Sequence, residues 1–432
     1  MTTSRSPITW VPTLYFMEGL PFFTIAMIVG QMYKSMGVGN AKIAHYSALL
    51  GLAWVFKPLW SPFLELAPNK KTVVVAFQYV GATAMGLVAL SLQLPAWFAV
   101  GVVVLSLLAY ASATHDIAAD GLYIASLGTK QQAMYAGWQG AFFNAGRLMA
   151  AGGVLVLAGR LEKQMPAAQS WTVIFAGLGV LMVVFATYHL WALPNSANAV
   201  RDDRSLHGTA LLLREVLVDF FQKPGIWVAI LFIILFRAGE GQIQTIGPLF
   251  LRDPRTAGGL GLTTDQVGIV YGTAGTVAFI VGSVLGGYFT AWLGLKRALP
   301  FLIVGMNLPN AVFYYLATAL PTDLMLIGVG LSLEMFGYGF GFVGVILYIM
   351  QVVAQGKYTT AHYALGTGVM QVGFLLFKWI SGDIQVWLGY HAFFLWVLLA
   401  AVPVLVMAWF IPISAAPAPA PPEEPAARPA QA

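Results

Sequence analysis

Long apolar runs alternate with short polar intervals along almost the whole chain, and each run reaches the length of about 20 mostly apolar residues that a membrane-spanning helix needs. Twelve such helices are expected, over 10–33, 43–64, 72–92, 96–127, 132–158, 171–193, 225–251, 265–292, 298–319, 323–353, 360–384 and 390–411. A polar connection over 194–223 divides them into six and six, and a Pro- and Ala-rich tail over 412–432 is expected to be disordered. The implied fold class is an all-α membrane protein of two six-helix bundles. Its N-terminal bundle covers 1–193, a cytoplasmic connection 194–223, its C-terminal bundle 224–411 and a cytoplasmic tail 412–432. The opening residues carry no basic leader followed by a short apolar core and a small-residue cleavage site, so 10–33 is expected to remain as helix one.

Two short echoes support a doubled plan. Phe16-Met17-Glu18-Gly19 in helix one answers Arg237-Ala238-Gly239-Glu240-Gly241 in helix seven, each with a carboxylate beside glycine at mid-membrane. Asn69-Lys70-Lys71 after helix two answers Leu295-Lys296-Arg297 after helix eight. Paired halves with a site between them are a common transporter plan.

Composition agrees with a membrane protein. Hydrophobic residues make up 59% of the chain and charged residues 9%, against about 25% charged in soluble domains. The absence of cysteine excludes disulfides, thiolate metal sites and cysteine nucleophiles. The net charge of +5 follows the loops, so no nucleic-acid partner is expected. One side carries Arg5, Lys70, Lys71, Lys130, Arg201, Arg204, Arg214, Lys223, Lys296, Arg297, Lys357 and Arg428. The other carries Lys34, Lys42, Arg160, Lys163, Arg252 and Arg255. The excess of positive charge puts the first set, and with it both termini, in the cytoplasm.

A few ionisable residues break the apolar runs: Glu18, Asp116, Arg147, Arg237, Glu240, Glu334 and Lys378. A charge near the bilayer centre costs about 3 kcal/mol on insertion scales, so a chain that carries several builds a polar path between helices. Arg147 and Lys378 stand at similar depth on helices five and eleven, equivalent under the 6+6 plan. They form either a positive pocket for an anionic substrate or partners for Glu18, Glu240 or Glu334. Arg237 and Glu240, three residues apart, can pair within one helix, with substrate or a proton competing for one partner. Glu18 has no cation within a helical turn, which suits a proton-coupling group or a neutral carboxyl bonded to a backbone carbonyl. Glu334 has the same two readings. Asp116 and Asp120 share a helix face, within reach of Lys57, Lys70 and Lys71, and are read as a cytoplasmic gate network rather than substrate ligands. Tyr15, Trp138, Trp54 and Tyr338 could stack on sugar rings, or be interface aromatics.

The segment Tyr46 to Pro62 (YSALLGLAWVFKPLWSP) resembles helix two of the AmpG-type muropeptide permeases. These form a branch of the major facilitator superfamily that includes acetyl-coenzyme A transporters. Ala113 to Asp120 (ATHDIAAD) is similar to that family's helix-four motif, and Gly19-Leu20-Pro21 to its helix-one motif. Arg237 and Glu240 match a Lys and an Asp of its seventh helix, and Glu334 a Glu of its tenth. The chain departs at His115, where the family usually has Gln, and in the shorter loop after helix two. Arg147 falls about half a turn late, and Phe374 fills the helix-eleven place with Lys378 one turn further on.

The resemblance implies the major facilitator fold, a bacterial inner membrane and proton-driven import of cell-wall muropeptides by alternating access. Substrate contacts are then expected from Arg147, Lys378, Arg237, Glu240, Glu334, Tyr15 and Trp138. Glu18, Glu240 and Glu334 are the proton-coupling candidates. Other anionic conjugates, such as a siderophore or an acyl-coenzyme A, and drug export remain alternatives, with a membrane-embedded transferase more remote. No HExxH pair and no phosphate-binding Gly-Lys-Ser/Thr loop occurs. No catalytic residue, metal or cofactor is expected, and the expected partners are a small anionic substrate, protons and the lipid bilayer around a monomer.

Overall fold

The computed structural model describes residues 6–64, 69–195, 206–408 and 410–411, and they form helices throughout the two halves. The tail 412–432 and the stretch 196–205 of the connection lie outside the described residues. Ten segments among the described residues are long and apolar enough to cross a membrane by themselves. They are Pro7–Ser35, Lys70–Ser91, Trp97–Ser126, Trp138–Glu162, Ala167–Ala192, Ile226–Arg252, Thr264–Leu293, Leu295–Ala319, Leu324–Val353 and Ala361–Met407. The last is two helices, eleven and twelve, because Gly389 leaves the helical region at φ 72° and ψ 169°. Helix two, Asn40–Leu64, is missing from the ten. It carries Lys42, His45 and Lys57 and packs between helix four and helix eleven, so less of its surface has to suit lipid.

Within the halves the neighbours repeat. Helix one packs on five as seven packs on eleven, helix two on four as eight on ten, and three on four as nine on ten. Between the halves, helix two meets helix eleven and helix five meets helix eight. The same exchange of halves that turns two into eight turns eleven into five, so these two seams are copies of one seam. This is the geometry of an internal repeat about a two-fold axis.

Glycine makes the close seams possible, since small residues let membrane helices approach backbone to backbone. A Cβ on Gly282 of helix eight would lie 2.1 Å from the Phe336 carbonyl oxygen of helix ten, and one on Gly272 would lie 1.7 Å from the Ala151 carbonyl oxygen of helix five. At the second place both helices open into a wide turn, over Leu148–Val154 and Gly268–Ala274, and these turns face each other. Gly282→Leu is expected to cost about 1–3 kcal/mol by overpacking, read as a lower thermal midpoint in detergent. An unchanged midpoint would show that the helix eight–ten seam can spread freely.

The connection differs from the polar stretch expected from sequence. Leu206–Gln222 is a helix that buries Val216 and Phe220 against the C-terminal half. Lys223 ends it by donating to the carbonyls of Val353 (2.8 Å) and Gln355 (2.6 Å), which holds it to the end of helix ten. Partial burial lowers the pKa of this ammonium, and neighbouring Asp219 raises it. A short amphipathic helix among many polar residues does not stand out as an apolar run.

Candidate functional site

A cavity of about 780 Å³ of empty space lies between the halves, lined from both by Phe22, Trp54, Arg147, Arg237, Phe374 and Lys378 among others. A second space of about 520 Å³ shares Lys378 and Gln244 with it and adds Gln31 and Tyr271. Arg147 enters from helix five and Lys378 from helix eleven, the symmetry-related pair singled out in the sequence. Their exposures are only 5% and 6%. Among the described residues neither has a carboxylate within 4.0 Å, and the Arg147 Nε has no hydrogen-bond partner. Aromatic faces support them instead. The Arg147 guanidinium lies 4.2 Å from the Phe279 ring centre, and the Lys378 ammonium 5.8 Å from that of Phe374. Such contacts favour a cation without supplying a countercharge.

Arg237 and Glu240 do pair, with Nη1 2.6 Å from Oε2, and both are 5% exposed. Arg237 also stacks between Phe374 (4.7 Å) and Phe342 (5.0 Å) and reaches the cavity, whereas Glu240 stands behind it. Glu334 is buried on helix ten with Oε2 unpartnered and no ion pair among the described residues. Like Glu240, it is not part of the cavity lining.

The remaining sequence candidates sit elsewhere. Tyr15 is buried in the N-terminal half and donates to Asp120 Oδ1 at 2.9 Å, away from the cavity. Trp138 is 43% exposed, stacks on Phe142 at 5.8 Å and is not in the cavity lining. Trp54 and Tyr338 do line it. Lys57 forms an ion pair with Asp116. Asn69 caps helix three by accepting from the Lys71 backbone N–H at 2.9 Å, and the Lys70 side chain lies against Gly121 beside Asp120. Lys57 and Asp116 belong to helices two and four of one half, so this pair alone does not tie the two halves together.

Ties between the halves gather at the end opposite the described chain ends. Lys34 pairs with Asp253, and Tyr390 donates to the same carboxylate. The Asn40 amide nitrogen lies 2.7 Å from the Tyr390 hydroxyl, 2.9 Å from Gln385 Oε1 and 3.1 Å from Asp253 Oδ2. His45 meets Asp383 at 2.7 Å and Lys163 meets Asp265 at 2.7 Å. Arg252 donates to Ser35 Oγ at 3.2 Å and lies 4.0 Å from Glu162. Sequence reasoning counted Lys34, Lys163 and Arg252 only as loop charges. Their carboxylate partners lie far away in the chain, in the other half, and no local pattern marks such pairs.

Asp253→Ala is expected to loosen this end. The natural absence of cysteine makes a direct measurement possible. A single Gln244→Cys in the cavity should react faster with a membrane-impermeant thiol reagent from that end when Asp253→Ala is also present. An unchanged rate would mean that this network does not hold the end shut.

A family model described as Major Facilitator Superfamily matches residues 13–377. The anhydromuropeptide permease of Escherichia coli K12 is 26% identical over 405 residues, which cover 91% of this chain and 77% of that one. Among solved structures, a bacterial homologue of the human lysosomal transporter Spinster, inward-facing and unoccupied, superposes with a TM-score of 0.70 at 14% identity. It covers 94% of this chain and 96% of that chain. A D-xylose–proton symporter reaches 0.69 at 13% identity, over 94% and 97%.

Proposed function

The chain belongs to the Major Facilitator Superfamily, and on that premise we propose that it imports anionic cell-wall muropeptides across a bacterial inner membrane, driven by protons. The observation that carries this reading is the pair of buried cations, Arg147 and Lys378, that have no ion-pair partner among the described residues and face one cavity from the two halves. A buried charge needs a counterion, and here an anionic substrate supplies it. Phe22, Trp54 and Phe374 offer flat apolar faces for sugar rings. The name of the Escherichia coli relative gives the substrate class, and its 26% identity over most of this chain is the support for carrying it across.

The mechanism is alternating access, with 1–193 and 224–411 rocking about the cavity along the helix two–eleven and five–eight seams. Both termini face the cytoplasm by loop charge, which makes the end tied by Lys34, Asn40 and Asp253 the external one and this conformation inward-facing. A reporter fused near Ser205 is expected to read as cytoplasmic and one near Gly258 as external. The reverse would overturn the orientation.

Coupling is assigned to Glu240 and Glu334, the buried carboxylates behind the cavity, with Glu18 as the N-terminal counterpart of Glu240. The deciding experiment is uptake of labelled anhydromuropeptide into vesicles with and without a proton gradient. A siderophore or acyl-coenzyme A would engage the same cations, and competition by these compounds in the same assay separates the readings.

A further inference from the structure

Lys378 stands between two spaces whose walls differ. The central cavity combines Phe22, Trp54 and Phe374 with Arg147, Arg237 and Lys378. The second space, of about 520 Å³, lies toward the end tied by Lys34 and Asp253, since Gln31 in its wall accepts from Arg252 Nη1 at 3.3 Å. Among the described residues its wall has no Phe or Trp, and Lys378 is its one charged side chain. Gln31, Ser47, Gln244, Thr245 and Tyr271 supply its polar groups, and Leu155, Leu249 and Val267 its apolar surface. The Tyr271 hydroxyl donates to Gln244 Oε1 at 3.0 Å and so fixes that amide. The Gln244 Nε2 reaches Met335 Sδ at 3.7 Å, which uses one of the two donors of that nitrogen.

We propose that this outer space is a separate compartment of the substrate site that takes the peptide stem, with the sugar rings in the central cavity and a stem carboxylate on Lys378 at the junction. The inference rests on the muropeptide reading and divides that ligand between the two spaces. The Phe and Trp faces that suit sugar rings belong to the central cavity and not to the outer space. A peptide group that leaves water needs one partner for its N–H and another for its C=O. Side-chain amides and hydroxyls both donate and accept, so a neutral wall of Gln, Ser, Thr and Tyr meets that need. The aliphatic residues beside them suit small apolar side chains of a stem. No carboxylate in the outer wall repels those of the ligand. Pockets that hold whole small ligands measure about 300–1,000 Å³, so a space of about 520 Å³ is far more than one ammonium contact requires. Lys378 belongs to both walls, which puts a carboxylate bound there between the ring portion and the amide portion.

The test compares two ligands on full-length protein in nanodiscs: the anhydro-disaccharide without peptide, and the same disaccharide carrying a tripeptide stem. The stem is expected to tighten equilibrium binding about tenfold. Tyr271→Phe and Thr245→Val alter residues that line the outer space alone, and each is expected to weaken the tripeptide form about 2- to 10-fold. Binding of the bare disaccharide should stay within about twofold in both variants. Trp54→Ala, in the central cavity, is expected to weaken both ligands alike. Equal affinity of the two ligands for the unaltered protein would overturn the compartment even if a variant failed to fold. Equal losses for both ligands in the folded Tyr271→Phe and Thr245→Val proteins would overturn it as well, and a loss confined to the bare disaccharide would put the sugar there instead. No binding of either ligand would overturn the muropeptide reading and this inference with it, whereas binding of both with no gain from the stem would overturn this inference alone.

Discussion

Arg147→Ala combined with Lys378→Ala is expected to abolish binding of anionic muropeptide while binding of a neutral analogue is weakened far less. Each cation is almost fully buried, faces the cavity and lacks an ion-pair partner among the described residues. A hydrogen bond to a charged group contributes about 1.5–3 kcal/mol, so each single change should weaken the anion about 10- to 100-fold. Because the two cations come from opposite halves, an anion bound to both would draw the halves together from both sides. The double change should therefore cost more than either single change. Among the described residues neither side chain makes an ion pair, and each rests on aromatic faces, so folding should survive. Equilibrium binding of labelled anhydromuropeptide and its amide-capped neutral analogue decides the matter. Equal losses for both would mean that the cations shape the cavity rather than read charge.

The second large effect concerns Glu240→Gln. In the structure Glu240 holds Arg237, whose guanidinium lies between Phe374 and Phe342 at the cavity wall. A proton on Glu240 removes the charge that retains Arg237 and frees a third cation for the substrate. The amide mimics that protonated state permanently. Exchange of labelled for unlabelled substrate should therefore continue, while accumulation against a gradient is lost. Breaking one side of a buried pair costs about 3–5 kcal/mol, so some loss of stability is also expected and is to be measured beside transport. Proton-driven accumulation that persists in the Glu18→Gln, Glu240→Gln double variant would end this account of coupling.

Much of the architecture was legible because the bilayer imposes a one-dimensional rule. Every backbone polar group must be satisfied within its own segment, so length and apolarity mark the spanning helices. Breaks such as Gly389 and the 6+6 division follow from the same reading. The echo of Glu18 by Glu240, and the matching depth of Arg147 and Lys378, could be found because a repeat preserves depth along the chain. Both of these cations are among the residues that line the cavity.

Tertiary structure alone decided how the charges combine. Glu18, Asp116 and Asp120 are one cluster, although they come from helices one and four and were read as separate devices. Tyr15 belongs with that cluster rather than with the central cavity, and Trp138 lies outside the cavity lining. Lys34, Asn40, Asp253, Gln385 and Tyr390 form a single tie between the halves. In the sequence they are unremarkable residues of separate helix ends and loops. A helical sequence fixes the depth of each side chain, and its rotation only relative to its own neighbours. Which faces meet is settled when glycine seams such as Gly272 on Ala151 and Gly382 on Ala41 set the helices against one another. Pairing across more than 100 residues is a property of that packing, and no local pattern carries it.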